Sequence, residues 1–353
     1  MSHIQRVFAL VFLGLTGAVN SAEIRATESV FGDPVLLVSG VIEKGDLGGI
    51  KEAVKDLIYK YDKAPAIEID SAGGDAREAM RIGRFLREML MSVKVYGSIV
   101  RTKGDEEADE YARLKDTHMW YYDIIKSASE PVADSDYRRC YSACVLIFYG
   151  AVERSLRDNV DQRWGLNRLR YHPVMGLHRP YYKGEAYSNL APGDAVKAYD
   201  ALSSEVREYL LEMGAPTALI DRMFRHSSEQ IDLVREEEFE QYYNRKAPFL
   251  EEWLISKCGS DDASSALSSD EAQIYFNVNE ERKRKARAFL ERNSDNQDKW
   301  SVVRDIIGNY MPPGYSAGEI QEIEKKVGTY SRKVSSCKKM AVAQHQQKWA
   351  ILN

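Results

Sequence analysis

Short apolar runs alternate along the chain with stretches whose apolar positions recur at steps of three and four. Pro34 to Ser39 (PVLLVS) predicts a strand, and Leu47, Ile50, Val54, Leu57, Ile58 and Tyr61 then share one face of a helix. Pro65 to Asp70 (PAIEID) predicts a second strand, which ends in Ser71-Ala72-Gly73-Gly74. Ala79, Ile82, Leu86 and Met89 mark the next amphipathic helix, and Ser92 to Tyr96 a third strand. Strands alternating with helices place residues 23–250 in the α/β class with a largely parallel sheet. The rhythm breaks at 101–139, where the acidic run Asp105 to Glu110 and several polar stretches predict a surface insertion.

Ordered pattern resumes at Cys140-Tyr141-Ser142-Ala143-Cys144, continues into Val145 to Tyr149, and returns at Val174 to Pro180. Ala195 to Phe224 reads as helical, and the Ser, Asp, Gly and Ala content near Ser256 to Ser269 predicts a linker over 251–269. Residues 270–353 form a helical C-terminal region, in which Ile320, Ile323, Val327, Tyr330, Val334, Cys337 and Ala341 lie on one stripe of a long helix. About three heptads of this pattern fit a helix packed on its neighbours better than a dimerising coiled coil.

Composition adds limits. With 44% hydrophobic and 29% charged residues, a chain of 353 residues can bury a core without metal or disulfide staples. A net charge of -5 argues against a protein built to neutralise phosphate backbones, so nucleic acid is not an expected partner. The apolar run Val7 to Val19 is too short to cross a bilayer. Preceded by Arg6 and followed by the small residues Ser21 and Ala22, it has the layout of a signal peptide over 1–22, cleaved after Ser21 or Ala22, and implies a periplasmic protein. Cys140, Cys144, Cys258 and Cys337 survive that cleavage. Cys258 and Cys337 are the two outside the first domain, and a bond between them is expected to tie the helical region to the end of that domain.

The candidate chemistry sits in three segments. A strand ending in Gly73-Gly74 before a helix offers backbone N–H groups where negative charge is favoured. Ser142, between compact residues and ahead of an apolar run, fits a strand-to-helix turn that exposes its hydroxyl beside the Ala143 N–H. His178 follows a short apolar stretch whose end could present the imidazole to Ser142 as general base. Cys140 with Cys144, and His172 with His178, also approach zinc-ligand spacing, but thiols in an exported protein tend to oxidise, and a Cys140–Cys144 disulfide is the rival outcome. Were one helical turn to separate them, that bond would be strained.

Ile67-Glu68-Ile69-Asp70-Ser71-Ala72-Gly73-Gly74, then Cys140-Tyr141-Ser142-Ala143-Cys144, then Met175-Gly176-Leu177-His178-Arg179-Pro180, in this order, resemble the Clp protease proteolytic-subunit family and more closely its exported relatives, the ClpP-like periplasmic proteins. The likeness covers about residues 34–245. It implies a ClpP/crotonase-like spiral of ββα units, serine peptidase activity without cofactor or metal, a peptide or unfolded protein as substrate, and a homo-oligomer. It puts the nucleophile on Ser142, the base on His178 and the oxyanion hole on the amides of Gly74 and Ala143. The family's orienting Asp falls within the stretch Asp221 to Glu238, where an ungapped match from Gly214 meets Ser227 and a match on the following helix meets Ile231, next to Asp232; Asp232 is taken for the role. Ala72 stands where the family keeps a Pro, and Cys140 and Cys144 flank the nucleophile in place of its small residues.

Acyl-CoA hydratases and isomerases share this fold, yet CoA is a cytosolic cofactor and the leader argues against it. Related signal-peptide peptidases use a Lys base, and no Lys lies near the Ser142 motif. A catalytically inactive peptide-binding or assembly module is the alternative function. The segment from Arg101 to Arg139 joins the third strand to the nucleophile motif and is expected either to gate access to Ser142 or to anchor itself through Met119 to Tyr122.

Overall fold

The structure, a computed structural model, describes residues 21–28, 32–95, 139–156, 174–182, 185–234, 238–239, 243, 245–293 and 299–352. The apolar run of the expected leader, residues 101–138 of the expected insertion, and His172 lie outside them. The chain divides into two compact units, Met1–Ala247 with Trp349–Asn353, and Pro248–Lys348.

The first unit runs β1 (Glu23–Glu28), β2 (Pro34–Ile42), α1 (Asp46–Tyr61), β3 (Ala66–Gly74), α2 (Ala76–Glu88), β4 (Ser92–Lys94), β5 (Arg139–Tyr141), α3 (Ala143–Gly150), β6 (Glu153–Ser155), β7 (Val174–Leu177), α4 (Glu185–Ser188), α5 (Pro192–Glu212), α6 (Thr217–Arg225) and β8 (Asp232–Val234). The four consecutive apolar residues Val35 to Val38 are all buried, as a strand covered on both faces requires. Five strand pairs are parallel, and the pairs β1·β2 and β7·β8 are antiparallel. The sheet forks at β3. Ile67 and Glu68 face Val93 and Lys94 of β4, whereas Ser71, further along the same strand, faces Cys140 of β5. One branch continues through β4 to β6, the other through β5 and β7 to β8.

Helix α3 (ACVLIFYG) has no polar face, and every one of its residues is buried. Such a helix needs its terminal carbonyls satisfied by the surrounding protein. Arg87 donates to the carbonyl oxygens of Gly150 at 2.9 Å and Tyr149 at 3.0 Å, and Arg154 to that of Tyr149 at 2.8 Å. Burial pushes the Arg154 guanidinium down to about 10, still well above neutrality, so the negative end of α3 meets cations supplied by its neighbours. Helices α2 and α3 touch backbone to backbone: a Cβ added to Gly150 would run into the main chain of Gly83. The helical stretch expected over Ala195 to Phe224 consists of two helices, divided where Gly214 takes a left-handed φ of 70° and Pro216 precedes the next start.

The second unit contains α7 (Leu250–Cys258), a 3₁₀ turn (Ala263–Ala266), α8 (Ser269–Arg292), α9 (Lys299–Asn309) and most of α10 (Ala317–Leu352). The expected linker over 251–269 is thus largely structured. Its first part continues the helix that Leu250 begins, and the Ser268 hydroxyl and Glu271 form a capping box that starts α8 at Ser269. Ala286, Val303 and Ile306 make a small apolar cluster of their own. Cys258 and Cys337 are joined by a disulfide. Both belong to the second unit, so the bond closes a loop within the helical unit and does not tie it to the α/β unit. Among the described residues, no helix is long and apolar enough to cross a membrane.

Candidate functional site

Strand β5 lies between β3 and β7, with Cys140 paired to both Ser71 and Met175. At Ser142 the chain turns from β5 into α3 with φ 56° and ψ -120°, a conformation that costs a non-glycine residue energy and persists only where the surroundings impose it. The surroundings are visible. The Ser142 N–H donates to the Gly176 carbonyl at 2.9 Å, its own carbonyl accepts from Val145 at 3.0 Å, and a Cys140–Cys144 disulfide spans the turn. The Cα atoms of the two cysteines are 5.1 Å apart, inside the ordinary disulfide range, because a strand-to-helix turn brings them together; the strain expected for a helical turn does not arise.

The second segment approaches the same turn. Gly73 has φ 105°, and a Cβ placed on it would come within 2.6 Å of Ser142 Cβ and 2.9 Å of the Tyr141 carbonyl oxygen. Only glycine allows both the conformation and the approach. Gly74, at φ 145°, pairs with Ile42 of β2 and likewise has no room for a side chain. Asp75 then caps α2, accepting the Glu78 N–H at 2.8 Å. Ala143, the first residue of α3, carries one of the amides that helix geometry leaves without an intrahelical acceptor.

His178 follows β7 and is buried. Its Nδ1 lies 2.9 Å from the Arg179 carbonyl oxygen. A carbonyl can only accept, so the neutral ring carries its proton on Nδ1 and leaves Nε2 as a proton acceptor. Ser142, Ala143, Gly73, Gly74 and His178 all border one cavity of about 570 Å³, with Leu202, Val206 and Met223 supplying apolar wall and Glu43 and Lys44 a charged edge. Among the described residues, no hydrogen bond joins Ser142 to His178.

Asp232 is placed differently. It sits on β8 directly opposite Leu177, and opposed residues of an antiparallel pair project to the same face. His178 lies just beyond the last residue of β7, and among the described residues no hydrogen bond or ion pair joins it to Asp232. The Asp232 carboxylate accepts from Arg222 Nε at 2.5 Å and Nη2 at 2.9 Å and meets His226 Nε2 at 3.1 Å. The Arg222 hydrogen bond holds it below the usual carboxylate range. The expected Asp232–His178 pairing is therefore replaced by an Asp232–Arg222–His226 cluster, and the group that orients His178 is a main-chain carbonyl.

Two acidic side chains beside the site escaped the sequence reading. Glu78 sends Oε1 to the N–H groups of Gly45 at 3.1 Å and Leu47 at 2.9 Å, and Asp46 accepts from Glu43 at 2.8 Å. They hold the turn between β2 and α1, which carries Glu43 and Lys44. The pattern Asp75-Ala76-Arg77-Glu78 resembles a capping box, which was an available signal for the start of α2, although Glu78 bonds the neighbouring turn and does not reach back to Asp75. Among the described residues, no group of three His, Cys, Asp or Glu side chains could hold a metal ion, and the disulfide engages both sulfurs of the C-x3-C pair.

No family model matches the chain, and no curated protein does. Among solved structures the chain is similar to an Asn-to-Asp mutant of ClpP1 from Listeria monocytogenes, at 14% identity over 59% of this chain and 86% of that one, with a TM-score of 0.33. A likeness that faint carries no argument about fold or activity.

Proposed function

We propose that this chain is an exported ClpP-like serine hydrolase, a peptidase acting on peptides or unfolded proteins as a homo-oligomer in the periplasm, with its α/β unit built as a spiral of ββα repeats. Ser142 is the nucleophile and His178 the base. The observation that carries the reading is the forced φ of 56° at Ser142, at the start of a buried helix and on the same cavity as His178. Backbone strain of this kind clusters at active sites, where the surrounding structure holds it in place. On substrate, Ser142 Oγ attacks the scissile carbonyl while its proton passes to His178 Nε2. The amides of Gly74 and Ala143 take up the oxyanion, and Nε2 returns the proton to the leaving amine. Water then repeats the sequence and releases the acid. The Arg179 carbonyl holds the ring in the required tautomer, the place given to Asp232 by the sequence.

Ser142→Ala should abolish labelling by a fluorophosphonate probe and lower peptide hydrolysis by about 10³-fold or more, with the circular dichroism spectrum unchanged. Hydrolysis at the original rate in that variant overturns the reading. A second reading, an inactive peptide-binding module, draws on the missing Ser142–His178 hydrogen bond and on a His178 held by a carbonyl in place of a carboxylate. It predicts saturable peptide binding with no probe labelling of the unaltered protein.

A further inference from the structure

Away from the catalytic groups, a buried carboxylate stands without a counter-charge. Asp46 is 6% exposed, and its Oδ2 accepts two main-chain N–H groups, that of Glu43 at 2.8 Å and that of Ala22 at 3.4 Å. Its neighbour Glu78 is neutralised by Arg81 at 2.8 Å, whereas among the described residues no cation reaches Asp46. The first turn of α1 favours the charge on Asp46, but a buried carboxylate is held more firmly where an opposite charge meets it. The nitrogen of Ala22 is the group that can supply that charge. Ala22 is 7% exposed, packs in the main core, and directly precedes β1, whose first rung pairs Glu23 with Ser39, while Ser21 before it is exposed.

We propose that the chain is cut between Ser21 and Ala22 and that Asp46 receives the new terminus as a buried ion pair. The inference rests on the reading of residues 1–22 as a cleaved leader and settles which of its two bonds is broken. A leader peptidase adds water across the Ser21–Ala22 peptide bond. Ser21 leaves as a carboxylate, and the Ala22 nitrogen, protonated, becomes an ammonium already within reach of Asp46. Cutting one bond later would discard Ala22, leave a hole in the core and return Asp46 to a single neutral donor. The same carboxylate oxygen holds the Glu43 N–H, and Glu43 and Lys44 edge the cavity, so the terminus becomes part of the support of that turn.

Three measurements test this. The protein is expressed with its leader, recovered after export and sequenced from its N-terminus. Ala22 as first residue is the expected result; Glu23 as first residue overturns the inference and leaves the leader reading standing, while an uncut chain overturns both. In the chain beginning at Ala22, acylation of the α-amine at neutral pH should be about tenfold slower in the native protein than in urea, because the pair keeps the nitrogen protonated, and Asp46→Asn should remove the protection. Amides of the turn from Glu43 to Leu47 should also exchange more slowly in the cut chain than in the full-length one. Equal acylation rates in native and unfolded protein overturn the inference, a comparison that needs no variant and so survives a failure of Asp46→Asn to fold.

Discussion

Ser142 owes its conformation to its neighbours, and the Cys140–Cys144 disulfide is the covalent one among the constraints on it. A cross-link closing so short a loop removes about 2 kcal/mol of unfolded-chain entropy by the chain-entropy estimate. Replacing both partners, Cys140→Ala with Cys144→Ala, should therefore lower stability by about 2 kcal/mol in a denaturant titration. If the bond also fixes the turn, fluorophosphonate labelling of Ser142 should slow well beyond what the lost stability accounts for, since the protein stays folded in the assay. Ser142 and His178 could be picked out in the sequence because each lies in a compact motif beside an apolar run. The Arg179 carbonyl could not, since a main-chain acceptor leaves no trace in residue identity, and neither could the pairing of Asp232 with Arg222 and His226, which tertiary packing decides.

The turns between elements are where acidic groups do their structural work. Glu78→Ala would leave the buried N–H of Leu47 and the part-buried N–H of Gly45 without their acceptor, and should cost about 2 kcal/mol of stability, measured by thermal or chemical unfolding. The Asp232–Arg222 pair fastens β8 to α6 and carries a pH signature. The folded carboxyl titrates below its unfolded value, so its contribution is fully present above about pH 4, the unfolded range, and is lost as pH falls through the lower folded value. Asp232→Asn should accordingly be less stable near neutrality and lose less stability between about pH 4 and pH 2 than the unaltered protein, a difference that unfolding curves across that range would reveal. The strands and helices from Pro34 to Lys94 were readable from period alone, whereas β1, with its mostly polar residues Glu23–Glu28, was not. The break at Gly214 was not, because the helical pattern runs on past a residue whose backbone takes a left-handed φ of 70°.

For the molecule as two units, the cysteines separate two kinds of task. Cys140–Cys144 acts within one turn, whereas Cys258–Cys337 joins residues 79 apart in sequence, and all four ends lie inside the unit they serve. By the chain-entropy estimate the long loop is worth about 4.5 kcal/mol. Cys258→Ala with Cys337→Ala should lower the melting temperature of the helical unit markedly and leave labelling of Ser142 unchanged. Loss of labelling in that variant would contradict this division. The pairing was legible by elimination among four cysteines, but the boundary was not: Ser256 to Cys258 belong to a helix, and the small and polar residues that loosen the chain begin at Gly259.

The bare contact between Gly83 and Gly150 bears on the site from a distance. Each glycine lies seven residues from the first residue of its helix, Ala76 and Ala143, and at 1.5 Å per residue that is about 10 Å from the cavity-facing ends. With no side chain between the two backbones, the helices resemble the blades of scissors joined at a pivot. A methyl group inserted there has no rotamer by which to step aside, so the blades must open along their whole length. The turns at Gly74 and Ser142, riding at their tips, would then drift apart without any residue of the cavity having changed, and the spacing between the Ser142 hydroxyl and the Gly74 amide is in that sense set by two positions outside the cavity wall.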